Sequence, residues 1–149
     1  MIKMSELVFE LSAPMQSYVP PTSSNIQYTD KKPRTDAIVG LLSAALGYRR
    51  GDQRINDLKN AIDIKVKTIK NDEVPLVDYQ NAHYLKGNQV KNRQLWRSYL
   101  QDASFEISII GSDILLEKLR QALLKPYFAL ACGRRSCPPA KPIVPKIID

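Results

Sequence analysis

The sequence predicts an α+β domain of the ferredoxin-like (RRM-type) class, with its elements in the order βαββαβ. Two observations carry this prediction: short segments where apolar and polar residues alternate, as in half-buried strands, and two longer segments with the apolar spacing of amphipathic helices. The chain has 149 residues, of which 44% are hydrophobic and 25% charged. These values are typical of one folded domain with its own core and argue against global disorder.

The first half of the chain predicts a strand, a connection and a helix. Leu7, Phe9 and Leu11 alternate with polar residues, which indicates a strand over 7–11. A polar, proline-containing stretch over 14–29 predicts an irregular connection. Asp36 is the expected N-cap of a helix over 37–46, which Gly47 is placed to end. A short second helix is expected over 55–61.

The second half supplies the remaining elements. In chain order these are a strand at 62–66, a strand at 74–79, a protruding hairpin or loop at 80–95, a strand at 103–110, a helix at 113–125 and a last strand at 127–132. Ser112 is the expected cap of that helix, and Pro126 ends it. Four prolines after Gly133 predict a domain over 1–139 followed by an extended tail over 140–149.

The charge is positive and unevenly distributed. Lys and Arg total 22 against 15 Asp and Glu, a formal net charge of +7, which points to a polyanionic partner. The basic residues fall into three clusters: Lys31, Lys32, Arg34, Arg49, Arg50 and Arg54; Lys86, Lys91, Arg93 and Arg97; and Lys118, Arg120, Lys125, Arg134, Arg135, Lys141 and Lys146. Such segregation favours a positive face. The alternative is a set of solvated charged faces without a partner.

Several function classes lack their sequence signals. No apolar run is long enough for a transmembrane helix, the start does not resemble a signal peptide, and no phosphate-loop or nucleophile-elbow motif is present. Cys132, Cys137 and the single His83 are too few for a zinc site, so we expect reduced thiols, no metal and no cofactor in a cytoplasmic protein. His83 with Tyr84 and Lys86 could form an acid–base group for RNA cleavage; the alternative is an exposed histidine in a polar loop.

The segment Gly133-Arg134-Arg135-Ser136-Cys137-Pro138-Pro139 is the most unusual in the chain. Glycine allows the backbone to approach a ligand closely, and adjacent arginines supply planar forks that match phosphate oxygens and stack on bases. The prolines fix the direction of the chain that follows. The segment predicts either a rigid loop that grips a nucleic-acid backbone or a basic surface turn.

This GRRSCPP segment resembles the signature of the CasD family, the subunits of type I-E CRISPR Cascade that hold the 5′ end of the guide RNA. Three other stretches match in the same order: 11–18 resembles L-x-x-P-[LM]-Q-[AS]-[WY], 40–47 resembles the family's first helix, and 96–105 resembles W-R-x-Y-L-x-D-A-x-F. Asp78-Tyr79 resembles the start of the family's thumb hairpin. The resemblance spans nearly the whole chain.

The sequence departs from the family pattern at three places. The usual P-T-[KR]-S-G reads Pro33-Arg34-Thr35-Asp36-Ala37 here, and D-Y-H-T reads Asp78-Tyr79-Gln80-Asn81. Family members continue beyond GRRSCPP into a further β-rich portion, whereas this sequence has ten residues after Pro139.

The resemblance implies a non-catalytic, cytoplasmic RNA-binding subunit in antiviral defence. It would cap the guide-RNA 5′ handle, beside a Cascade backbone subunit and the large subunit, with a basic thumb at about 79–97. The RNA-binding residues it implies are Gly133, Arg134, Arg135 and Ser136 at the handle, Lys86, Lys91 and Arg93 within the thumb, Arg97 and Tyr99 at its return, and Lys32 and Arg34 before the first helix. Trp96 could stack on a base or serve a buried structural role.

Two alternatives remain from the sequence. A truncated CasD mimic, carried by a phage or mobile element, would displace or block the genuine subunit and act as an anti-CRISPR. An endoribonuclease that processes precursor guide RNA without metal is the other.

Overall fold

The computed structural model describes residues 3–21 and 24–149. Within them the chain forms six strands and three helices in an α+β arrangement. In order these are β1 (Met4–Gln16), β2 (Ile26–Gln27), α1 (Thr35–Leu46), α2 (Gln53–Ala61), β3 (Asp63–Lys70), β4 (Leu76–Lys86), β5 (Gln89–Ser112), α3 (Asp113–Leu124) and β6 (Lys146–Ile148).

Strand β5 organises the sheet because it pairs with four other strands. Its C-terminal half lies between β1 and β3, antiparallel to both, and β6 adds antiparallel to the outer edge of β1. Its N-terminal half pairs antiparallel with β4 and, over two residues, parallel with β2. The sheet order through the body is therefore β3-β5-β1-β6.

Alternation along the two central strands builds the core. Leu7, Phe9 and Leu11 of β1 are buried, as the sequence predicted, and Phe9 pairs with Ile107 of β5. Helices α1 and α3 contact each other, and α3 also contacts β1 and β5. Their buried residues include Leu42, Leu116 and Leu119, so the apolar stripes of both helices join the apolar face of the sheet.

The helix ends follow local chemistry in three of four predicted places, among them the end of α3 at Leu124, two residues before Pro126. The Ser112 side chain accepts a hydrogen bond from the Leu115 amide, and Gly47 ends α1 with a φ of +85°; both signals are confirmed. The prediction that Asp36 caps α1 was wrong, because the helix begins at Thr35 and Arg34 is its N-cap without a side-chain bond. Asp36 lies in the first turn, where a carboxylate favours the positive end of the helix dipole.

The predicted last strand at 127–132 was also wrong. The amides of Tyr127 and Phe128 donate to the carbonyls of Ala45 and Ala44, so this segment closes the C-terminal end of α1 instead of joining the sheet. The edge position beside β1 belongs to β6, whose Ile147 pairs with Leu7. Strand β1 is also longer than expected and runs through Pro14 to Gln16. Among the described residues, no helix is long and apolar enough to cross a membrane.

Candidate nucleic-acid interface

Residues 132–137 form a closed turn, which we call the arginine turn. The Cys132 amide donates to the Cys137 carbonyl at 2.7 Å, and the Cys137 amide donates to the Arg134 carbonyl at 2.9 Å. Gly133 has a φ of +89°, and a Cβ at this position would collide with the Ser17 carbonyl. Only glycine fits both the backbone angle and the close approach, and the two backbone hydrogen bonds hold the turn in shape.

The two arginines of the turn lie in different surroundings. Arg134 Nη1 donates to the Tyr99 hydroxyl at 2.9 Å, and its guanidinium carbon lies 5.8 Å from the centre of the Tyr99 ring. Tyr99 itself is buried. The side chains of Arg135 and Ser136 are exposed. Arg134 therefore ties the turn to β5, whereas Arg135 and Ser136 are presented to solvent.

The cysteines of the turn are buried free thiols. Burial raises the pKa of Cys132 to about 12 and, with a smaller opposing effect from Ser136 and Arg134, raises that of Cys137. Burial, reinforced by Cys132, also raises the pKa of the Tyr18 hydroxyl. A thiolate is the form that attacks electrophiles or binds metal, so these neutral thiols act as packing groups behind the arginines. In the described part of the chain, no group of three or more His, Cys, Asp and Glu could hold a metal ion.

Arg34 and the arginine turn line the same shallow cavity, which has a volume of about 270 Å³. Arg34, Gly133 and Arg134 line it together with residues of 17–19 and the start of α1. Arg34 is not a free cation, however. Its Nη1 lies 2.9 Å from the Asp30 carboxylate and its Nε lies 3.3 Å from Asp36. The hydrogen bond to Asp30 raises the pKa of Arg34.

Lys32 lies in a neighbouring depression of about 690 Å³ along the segment 30–36. It is exposed, and Lys31 and Lys59 line the same depression. Lys59 comes from α2, and nothing in its local sequence marked it as a candidate. The exposed lysines extend the positive surface away from the arginine turn.

Register places the four cations of the β4–β5 hairpin on one side. Tyr84 pairs with Lys91, Ala82 with Arg93, and Asp78 with Arg97. Directly opposed residues share a face, and alternate residues along a strand return to it. The basic hairpin face, as we call it, consists of Lys86, Lys91, Arg93 and Arg97. Arg93 also donates from Nε to Asn25 Oδ1 at 2.6 Å, which ties the hairpin to the segment before β2.

The basic hairpin face runs toward the arginine turn along β5. Arg97 is two residues from Tyr99 and therefore lies on the same side of the strand. Arg97 Nη1 lies 3.3 Å from Gln80 Oε1, and Tyr99 in turn holds Arg134. The structure thus joins two predicted clusters, 86–99 and 133–136, through one side-chain contact.

The opposite face of the hairpin carries no charged pair. Tyr79 and Trp96 meet there with ring centres 5.3 Å apart, while Leu85 and Val90 pair at the tip and are exposed. Trp96 is only partly buried. His83 also lies on this face, whereas Tyr84 and Lys86 alternate to the basic one, so the cleavage group considered from the sequence does not converge.

Comparison with known proteins identifies the family to which the chain belongs. The family model described as CRISPR-associated protein (Cas_Cas5) matches residues 6–149. The Cascade subunit CasD of Escherichia coli (strain K12) is 29% identical over 155 residues, covering 93% of this chain and 69% of that protein.

Two solved structures agree in sequence and shape. A crystal structure of a Cas protein is 28% identical with a TM-score of 0.67, covering 93% of this chain and 62% of its own. A chain of a CRISPR RNA-guided surveillance complex is 26% identical with a TM-score of 0.74, covering 90% of this chain and 59% of its own. This chain thus spans about three fifths of both. The chain belongs to the Cas5 family of CRISPR-associated proteins and is a homologue of the Cascade subunit CasD.

Proposed function

We propose that the chain is a non-catalytic subunit that caps the 5′ handle of guide RNA in a type I-E Cascade-like complex. The observation that carries this proposal is a surface with cations at its two ends, the basic hairpin face and the arginine turn, which Arg134 joins to the same side of β5 through its hydrogen bond to the buried Tyr99. A single strand of RNA lying along this surface would meet guanidinium and ammonium groups at both ends.

The side chains suit single-stranded RNA. Arginine forks bind phosphate oxygens in pairs, and contacts to the phosphate backbone supply most of the salt-dependent affinity. Ser136 adds a hydroxyl beside the exposed Arg135. Since two backbone hydrogen bonds already order the turn, little backbone entropy would be lost when these groups bind.

The fold and partners belong to the same proposal. The antiparallel order β3-β5-β1-β6, with α1 and α3 in the connections, supports a ferredoxin-like class, and the β4–β5 hairpin is our candidate for the thumb. Its uncharged face would rest on a neighbouring backbone subunit, with the large subunit nearby. Such a complex would act in the cytoplasm.

The test is equilibrium binding of RNA that carries the repeat-derived 5′ handle. The double variant Arg134→Ala, Arg135→Ala should weaken binding more than tenfold, because a hydrogen bond to a charged group contributes about 1.5–3 kcal/mol. Arg135→Ala alone should weaken it in the same direction without disturbing Tyr99. Lys65→Ala with Lys67→Ala on β3 removes the same charge elsewhere and is the control. Handle binding that survives the arginine changes would contradict the proposal.

One observation favours a second candidate, an inhibitory CasD mimic. Arg34 stands in the segment 33–37 that departs from the family pattern, and Asp30 and Asp36 engage its guanidinium. Co-expression with a complete Cascade distinguishes the two roles: a mimic should lower interference, while a working subunit should restore it in a strain that lacks CasD. Incubation with repeat RNA without metal tests the endoribonuclease alternative, for which we expect no cleavage.

A further inference from the structure

A second cavity beside the arginine turn, of about 660 Å³, lies on the side of Arg135, and we call it the α1 cavity. Its floor is one face of α1, where Gly40 and Ser43 line it. Its walls are the turn between α1 and α2 and the segment 127–135. The volume falls within the range of about 300–1,000 Å³ that is usual for small-molecule sites.

The walls of this cavity are fixed by backbone contacts. The Phe128 amide donates to the Ala44 carbonyl at 3.0 Å, and the Tyr127 amide donates to Ala45 at the same distance. Gly47 packs so closely against the Tyr127 ring that a Cβ would lie 2.8 Å from it. The cavity is therefore already formed in the free chain.

Three arginines and two aromatic rings surround the opening. Arg49, Arg50 and Arg135 line it, and in the described part of the chain none of the three forms an ion pair. The nearby carboxylate of Asp52 is engaged by Arg54 at 2.7 Å. The Arg49 guanidinium lies 5.4 Å from the Phe128 ring centre, and Arg54 lies 4.1 Å from that of Tyr48.

A buried polar group adds an independent observation. Ser43 is 3% exposed, and its Oγ has no hydrogen-bond partner among the described residues. Buried hydroxyls are almost always paired, since leaving one unpaired is unfavourable. Because Ser43 borders the cavity, a polar ligand would supply the missing partner.

We propose that this cavity binds one nucleotide unit. Its phosphate would bind the arginines that line the opening. Its base would stack on the Phe128 ring or on the guanidinium of Arg49, which lies over that ring. The two arginines of the turn would then act on opposite sides: Arg134 toward Tyr99, Arg135 toward this nucleotide. The unit is either one nucleotide of the bound handle, in which case the inference rests on the proposed function, or a free nucleotide.

Gly40 offers a clean way to block the cavity. A Cβ added there meets nothing within 4 Å, and replacing a helix-interior glycine favours the helix. Gly40→Leu should therefore fold while filling the floor. Asn60→Leu, on the exposed surface of α2, introduces the same side chain away from the site and is the control. Thermal denaturation verifies that both variants fold.

Binding of handle RNA and of AMP is then measured for the wild type and both variants. We expect Gly40→Leu to weaken handle binding about tenfold, the effect of losing one stacked base. Arg50→Ala should weaken it by about the same factor, the effect of losing one hydrogen bond between charged groups, with Asn60→Leu unchanged. Saturable AMP binding that only Gly40→Leu and Arg50→Ala abolish, without handle binding, would assign the cavity to a free nucleotide and overturn the handle proposal alone. Handle binding that Gly40→Leu leaves unchanged, with no AMP binding, would overturn the cavity inference alone. Binding of neither probe by the wild type overturns both.

Discussion

The two halves of β5 differ in their burial. In the C-terminal half, Ala103, Phe105, Ile107 and Ile109 have no exposed surface. In the N-terminal half, every residue from 89 to 94 is exposed. One half is held by burial between β1 and β3, whereas the other is held by its ladder with β4. The buried core and the exposed basic face thus occupy separate parts of one strand.

An irregularity at Asp102 separates these halves. Asp102 has a φ of +49°, in the left-handed region, and the β1–β5 register skips from Ala13–Ala103 to Met15–Gln101. Pro14, which has no amide hydrogen to donate, lies opposite. The ladder between β1 and β5 therefore lacks its pairing at this one position, while the register is the same on both sides of it.

The largest expected effect tests the buried half. Phe105→Ala should lower the free energy of unfolding by about 3–5 kcal/mol, the usual cost of truncating a buried phenylalanine. Val90→Ala, at a side chain 67% exposed in the other half, should change it by no more than about 0.5 kcal/mol. Chemical denaturation measures both. Equal losses would abolish the distinction between the halves.

The second effect tests the exposed half. Replacing Lys86, Lys91 and Arg93 by Gln should reduce the salt dependence of RNA binding. It should lower stability by no more than about 0.5–1.5 kcal/mol, through the hydrogen bond from Arg93 to Asn25. Each lost phosphate contact lowers the slope of log affinity against log salt by about 0.7 for a single strand, so the change should be about 2. The matched control replaces Lys65, Lys67 and Lys70 of β3 by Gln. If the slope falls equally in both triple variants, RNA binding depends on the net charge of the protein and not on where the cations lie.

A smaller effect is expected where the hairpin meets the arginine turn. Tyr99→Phe removes the hydroxyl that accepts from Arg134. It should cost about 0.5–1.5 kcal/mol of stability, as for one ordinary hydrogen bond, and weaken handle binding several-fold. If the variant binds the handle more weakly than wild type under conditions where it is folded, Arg134 is positioned through Tyr99. Unchanged binding would separate the two clusters.

A last effect is absent near neutral pH and appears only at alkaline pH. Because burial raises the pKa of Cys132 from 9.0 to about 12, ionisation favours the unfolded chain between these values. Stability should be complete below about pH 9 and decline as the pH rises toward 12. Cys132→Ala should flatten part of the decline, and Cys137 and Tyr18, whose pKa values burial also raises, should contribute the remainder. Denaturation curves across this range that are flat for the wild type would contradict the burial of the thiol.

Local signals predicted the parts of the fold that local chemistry determines. Alternation located the cores of β1 and β5, Ser112 marked the start of α3, and Gly47 marked the end of α1. The strand β6 was missed because a strand of three residues in a proline-rich stretch is too short to show the alternation of apolar and polar residues. Tyr127 and Phe128 were misassigned because their partners, the last carbonyls of α1, are distant in sequence.

The candidate site was predictable in residues but not in arrangement. The basic clusters and Gly133 stood out from charge and composition. That Arg134 binds Tyr99, that Arg34 is engaged by two carboxylates, and that four hairpin cations share a face depend on tertiary packing and strand register. For the α1 cavity, which Gly40 and Ser43 line, the one available signal was Tyr48 beside Arg49 and Arg50, an aromatic residue next to cations.

Photo-crosslinking of the whole chain to handle RNA containing 4-thiouridine, followed by mass spectrometry of the crosslinked peptides, tests the central claim most directly. The positive surface predicts crosslinks to peptides from 79–99 and from 127–137, and few to β3 or α3. Crosslinks confined to β3 and α3, or their absence while the protein is folded, would contradict it.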